Sequence, residues 1–178
     1  MTSPAAVPDV GIVVGNPKPA SRTLTVARAV ASAAGPAAGL DGSDVVEVDL
    51  AELGPRLFDW SAGDVREAVD RLAATRLVVV ATPTYKATYT GLLKSVLDWY
   101  PTTGLSGVTA VPVMVGAGPA HALAVEVHLR PLLVEIGATV PARGLYVTED
   151  RLDDLDSVVD EWLVEAGPLL SASLRSGG

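Results

Sequence analysis

Three short stretches of this chain hold the residue types that grip a charged, planar ligand. The first, Gly15-Asn16-Pro17-Lys18-Pro19-Ala20-Ser21-Arg22-Thr23, leaves an apolar run and opens a helical pattern. It gathers the hydroxyls of Ser21 and Thr23, the guanidinium of Arg22 and the free N–H groups of a helix start in one small volume. That set suits a phosphate monoester: orphan helix donors, hydroxyl donors and one fixed positive charge. The same spacing fits a plain helix cap at Ser21 with a solvated Arg22 beside it. The stretch is neither a Walker A loop nor a dinucleotide fingerprint, since GxxxxGK[ST] and GxGxxG are both absent. Asp49, the acid a dinucleotide fold would place on a ribose, lies well beyond the usual offset of about 20 residues.

The second stretch is Thr82-Pro83-Thr84-Tyr85-Lys86-Ala87-Thr88-Tyr89-Thr90-Gly91. A flat ring with polar edges suits it. Tyr85 offers apolar area, backbone N–H groups face a ring edge, and Lys86 offsets developing negative charge. Taken alone, the loop favours a plainer reading, with Tyr85 and Tyr89 as half-buried packing residues and Lys86 solvated. The third stretch, Gly116-Ala117-Gly118-Pro119-Ala120-His121, allows close backbone approach to a ligand or forms a simple turn. His121 and His128 have no carboxylate or hydroxyl partner nearby in sequence and read as satisfied or surface side chains. Glu149, Asp150, Asp153, Asp154 and Asp156 lack the spacing of a calcium loop and read as a solvated helix start. There is no GxSxG nucleophile elbow.

Composition narrows the chemistry. The 178 residues carry 13 Lys+Arg against 21 Asp+Glu, a net charge of −8, so the chain's own field repels nucleic acid and anionic membrane. With no cysteine, disulfides, thiolate nucleophiles, iron–sulfur clusters and cysteine zinc sites are excluded. Two histidines are too few for a His-rich metal site, and no metal is expected. Met1 to Asp9 has no basic residue, the first being Lys18, and no apolar run is long enough to cross a bilayer. The expected location is the cytoplasm.

The frame that positions the three loops is legible in hydrophobic periodicity. Val10–Gly15, Leu77–Ala81 and Val111–Val115 are almost wholly apolar runs, the pattern of strands covered on both faces. Val45–Val48 and Leu145–Val147 are weaker strands. Helical spacing follows Ser21 and recurs over Gly63–Ala74, Gly91–Tyr100, Ala120–Ile136 and from Leu155 through Ala166. Pro131 should kink the fourth of these. Strands alternating with helices over the whole length predict an α/β three-layer sandwich of one domain, residues 1–178, with residues 1–8 and 171–178 mobile. Ligands in such sheets bind beyond the carboxyl ends of the strands, where all three loops fall. The apolar faces of the third and fourth helices, with Trp99 and Tyr100, either are buried fully against the chain's own sheet or exceed what it covers; the second reading predicts a homodimer or homotetramer.

These loops resemble those of the NAD(P)H-dependent FMN reductases of the flavodoxin-like superfamily, in particular the group that supplies reduced flavin to two-component monooxygenases in sulfonate metabolism. GNPKPASRT matches the family's phosphate loop. ATPTYKATYTGLLKSVLDWYP matches its second flavin loop and helix, and GAGPAHALAVEVHLRPLLVEIGA its third loop and helix. The likeness covers roughly residues 10–148. It implies a flavodoxin-like five-stranded parallel sheet of order 2-1-3-4-5. It also implies that Ser21, Arg22 and Thr23 bind the FMN phosphate. Pro83, Thr84, Tyr85 and Lys86 line the ribityl chain and ring edge, and Gly116 and Gly118 lie near the ring. The implied reaction is hydride transfer from NADPH or NADH to FMN, with no obligatory protein acid or base and an electrostatic role for Lys86. Where some alkanesulfonate-linked members insert an aromatic residue in helix four, this chain has Val127 and His128. Lys18 adds a charge that members do not share uniformly. A quinone or azo-dye reductase on the same fold, and a flavin electron carrier without a nicotinamide site, are the alternatives.

Overall fold

A computed structural model describes residues 8–40 and 44–176. Five parallel strands form one sheet: β1 (Val10–Val14), β2 (Val45–Asp49), β3 (Leu77–Pro83), β4 (Thr109–Gly116) and β5 (Leu145–Thr148). Their order is β2-β1-β3-β4-β5, as the resemblance implies. Every residue of β1, β3 and β4 is buried. Alternation explains why these runs contain no polar side: Val10, Ile12 and Val14 enter one core, while Val13 enters the other. The first core is closed by α1 (Arg22–Ala37) and, later in the chain, by the C-terminal helix. The second is closed by α2 (Leu50–Leu53), α3 (Gly63–Ala73), α4 (Gly91–Leu97) and α5 (Arg130–Glu135).

Pro112 sits inside a central strand without cost. Ala110 N–H, two residues earlier, points towards the β5 side and bonds Thr139 O at 2.8 Å. Pairing with β5 starts only at Val113, so the donor that proline lacks has no ladder partner to lose.

Three expectations are corrected. The single helix over Ala120–Ile136 is instead a 3₁₀ turn at Pro119–His121, a π-helical turn at Val125–Leu129 and α5. Pro131 brings no N–H and its ring crowds the carbonyl four residues back; the wider π turn, with Arg130 N–H reaching Val125 O, accommodates it. Trp99 and Tyr100 are covered by their own chain. Trp99 Nε1 donates to Leu57 O at 2.9 Å beneath Trp60, and Tyr100 Oη donates to Val69 O at 3.1 Å. The segment that covers Trp99, a 3₁₀ turn at Gly54–Phe58, carried no periodic signal. Lastly, α6 (Leu155–Ser176) continues past residue 170, because Leu170 and Leu174 lie one turn apart on its buried face. The expected mobility of residues 1–7 and of Gly177 and Gly178 lies outside the described residues.

The approach to β5 is pinned to the π turn. Glu126 accepts from Arg130 Nε and from Gly144 N–H, both at 2.6 Å, while Arg130 also donates to Val140 O and Ala142 O. Burial pushes the Glu126 carboxyl up, but the hydrogen bonds from Arg130 and Gly144 outweigh it and hold it below the usual carboxylate range. The link therefore stabilises the fold at neutral pH and is lost as pH falls through that lowered value.

Candidate flavin site

All three loops emerge from the carboxyl ends of neighbouring parallel strands, so they share one rim of the sheet. The first is locked by the side chains of Asp49, Asn16 and Ser21. Asp49 Oδ2 accepts from Ala20 N–H at 2.9 Å and its Oδ1 from Ala51 N–H at 3.2 Å, so this acid shapes the loop; the offset that argued against a ribose role has its explanation here. Asn16 Nδ2 donates to Thr23 Oγ1 at 3.0 Å. Ser21 caps α1, accepting from Leu24 N–H at 3.3 Å, and both Ser21 and Thr23 are buried. The first-turn N–H groups of Arg22 and Thr23 have no acceptor within the helix. Arg22 stands outside, its guanidinium 2.9 Å from Glu149 Oε1.

Loop one is tied to loop two through α4. Gly15 N–H bonds Ala81 O at 2.8 Å, and Gly15 O accepts from the buried Thr90 hydroxyl at 2.5 Å. Thr90 Oγ1 also caps α4, accepting from Leu93 N–H at 3.1 Å. Thr90→Val keeps the volume but removes the cap and leaves Gly15 O without its donor. We expect a loss of about 2–4 kcal/mol, read by urea denaturation.

Pro83 ends β3 and is buried. Beyond it the chain makes a two-residue hairpin: Tyr85 N–H bonds Thr88 O at 2.9 Å and Thr88 N–H bonds Tyr85 O at 3.1 Å. The turn residues Lys86 and Ala87 both have left-handed backbones, φ 50° and 66°, where hairpins ordinarily use Asn-Gly. Such strain in non-glycine residues clusters at ligand clamps. Ala87→Val should cost about 1–2 kcal/mol and loosen the hairpin, whereas Ala87→Gly should be tolerated; thermal melts of the two variants test this. Tyr85 is 51% exposed, so it is not the half-buried packing residue of the plainer reading, whereas Tyr89 is part-buried against the second core.

The hairpin faces the third loop across a cavity of about 740 Å³, lined by Thr84, Lys86 and Ala87 on one side, Ala117 to His121 on the other, and Tyr146. Tyr146 borders the cavity without any signal in the sequence. It comes from β5, and its Oη donates to Gly118 O at 3.0 Å. Gly116 explains the fit: a Cβ there would lie 1.8 Å from Tyr146 Oη. Gly118 meets nothing within 4 Å in the direction a side chain would take. Thr84 Oγ1 is buried with no hydrogen-bond partner. His121 and His128 are exposed, as expected, and His121 borders the cavity. Ser21, Arg22 and Thr23 lie outside the cavity lining, on the same rim. Among the described residues no group of acidic or histidine side chains is placed to hold a metal ion, and no helix is long and apolar enough to cross a membrane.

The family profile of the NADPH-dependent FMN reductases matches residues 8–151, a span that contains all three loops and Tyr146. The chain belongs to this family. An FMN reductase (NADPH) of Pseudomonas aeruginosa is 30% identical over 156 residues, covering 86% of this chain and 82% of its own. One of Escherichia coli is 38% identical over 77 residues, covering 43% of this chain and 40% of its own, so that match spans under half of the relative. The apo structure of an NADH:FMN oxidoreductase, EmoB, superposes with a TM-score of 0.71 at 29% identity, covering 87% of this chain and 88% of that one.

Proposed function

We propose that this member of the FMN reductase family moves hydride from NADPH or NADH to FMN held at the rim described above. The observation that supports the reading best is a convergence. A helix N-terminus with one arginine and an apolar cavity with an unpartnered buried hydroxyl, Thr84 Oγ1, lie on one sheet rim. The residues present fit flavin mononucleotide. A cavity of about 740 Å³ lies within the usual range for small-molecule sites, about 300–1,000 Å³. Thr84 lacks a partner that a ring or ribityl oxygen would supply, and the open space over Gly118 admits a flat group.

When bound, the flavin supplies N5 as acceptor for a hydride from nicotinamide C4. The chain's own part is to bind and orient. The N–H groups of Arg22 and Thr23 and the Arg22 guanidinium hold the phosphate. Ser21 and Thr23 fix the helix start from within, rather than by free hydroxyls, because both are buried and already engaged. Thr84, Lys86 and Ala87 line one wall, with Pro83 and Tyr85 beside them in the chain, and Gly118 and Tyr146 line the other, where Gly116 leaves room for the Tyr146 ring. Lys86, at the hairpin tip, offsets the negative charge that reduction brings to the ring. No side chain is required as acid or base.

The finer parts of the reading follow the resemblance. Reduced flavin passes to a two-component monooxygenase in the cytoplasm. The chain assembles as a homodimer or homotetramer, for which exposed Leu123, Val127 and Val134, and not Trp99 and Tyr100, supply the apolar face. Following nicotinamide absorbance with each nucleotide tests the activity. Oxidation that depends on added FMN is expected. Oxidation with menadione or an azo dye but not with FMN would favour the alternative acceptors. No oxidation by protein that binds FMN would mark an electron carrier.

A further inference from the structure

Arg22 is the only guanidinium in the phosphate loop, and it is already engaged. Its Nη2 lies 2.9 Å from Glu149 Oε1, a residue 127 positions away that opens the acidic segment after β5. Both side chains are substantially exposed, 66% and 42%, so the pair contributes little to folding and opens easily. An arriving phosphate meets a guanidinium whose donors are shared with a carboxylate, and it meets that carboxylate's charge at close range. Asp49, which reaches the loop from the end of β2, is turned to Ala20 and Ala51 N–H and is already spent on the backbone. Lys18 is the other cation of the loop.

We infer that Glu149 is a positioning residue that competes with the FMN phosphate for Arg22 and so keeps flavin binding weak enough for exchange. The inference rests on the phosphate assignment of the previous subsection. In chemical terms it makes FMN a substrate that comes and goes, as a reductase that exports reduced flavin requires. A carboxylate tied to the one guanidinium at the site is an affinity brake: it takes donors away and repels the dianion, yet it also holds Arg22 in place while the site waits. Removing its charge without its shape should tighten the grip on phosphate and leave ring recognition alone.

The test compares wild type with Glu149→Gln by flavin fluorescence quenching, with FMN and with riboflavin, which lacks the phosphate. Glu149→Gln should lower the Kd for FMN on the order of tenfold and slow its release, with riboflavin affinity unchanged. In the Arg22→Ala background the part of the gain that comes from freed guanidinium donors should disappear, leaving only the smaller part that comes from relieved repulsion. An unchanged Kd for FMN overturns the inference, and so does an equal gain for riboflavin, since the effect would not then act through the phosphate. Equal thermal melts of both proteins guard the comparison. Quenching of neither flavin by either protein would overturn the flavin site itself.

Discussion

Gly15→Ala should cost about 3 kcal/mol or more, a large loss for a single methyl. A Cβ at this position would lie 2.4 Å from Leu93 Cβ, 3.0 Å from Leu93 Cα and 3.1 Å from Leu93 N. Two of those atoms are backbone of α4, so no rotamer change relieves the clash. The helix must move away from the end of β1, and with it goes the Thr90 hydroxyl that bonds Gly15 O. Leu93, wholly buried, then loses part of its packing. Overpacking of this kind costs about 1–3 kcal/mol, and the lost buried hydrogen bond adds about 1–2. We expect a total near 3 kcal/mol or more and a melting temperature lower by about 6–12 °C. FMN affinity should fall as well, because the same shift separates the first loop from the second. A thermal melt within about 2 °C of wild type would show that α4 does not pack on Gly15 as described.

Arg22→Ala should have the largest effect on binding with almost none on folding. The guanidinium is mostly exposed and its partner Glu149 is a surface carboxylate, so stability should change by less than about 1 kcal/mol. A charge-assisted hydrogen bond to phosphate is worth about 1.5–3 kcal/mol, so FMN affinity should drop about 10- to 100-fold. The variant also leaves Glu149 facing the phosphate without its counter-charge, which pushes the loss towards the upper figure. Hydride transfer at saturating FMN should stay within about twofold of wild type, since Arg22 lies outside the cavity between the second and third loops. Quenching titrations and single-turnover kinetics separate the two quantities. Equal FMN affinity in both proteins would remove Arg22 from the phosphate site.

What the sequence disclosed, and what it withheld, follows from how local each feature is. The first-loop cap at Ser21, the buried runs of β1, β3 and β4 and the sheet order rest on spacing within one element or on a family's consecutive residues. The hairpin at Lys86–Ala87 was hidden because neither residue favours a left-handed backbone. Tyr146 and Glu149 were hidden for another reason. They reach the site from β5 and its exit, and only the folded sheet brings them to Gly118 and Arg22. Asp49 stood in the sequence as a possible ribose acid; its loop-shaping bond to Ala20 crosses 29 residues. The broken helix before β5 was half legible. Pro131 marked the place, but the π turn that absorbs it depends on where Glu126 and Arg130 find partners in the strand approach. Trp99 and Tyr100 looked like an uncovered face because the residues that cover Trp99, Leu57 and Trp60, lie in irregular backbone without periodicity.

Amide hydrogen exchange with and without FMN reads whether three loops on one rim hold one flavin together. Slowed exchange is expected in all three at once: the Arg22 and Thr23 amides, the Tyr85–Thr88 hairpin and the Ala117–Gly118 turn, with the opposite rim of the sheet unchanged. Protection confined to a single loop, or found at the amino ends of the strands instead, would contradict it.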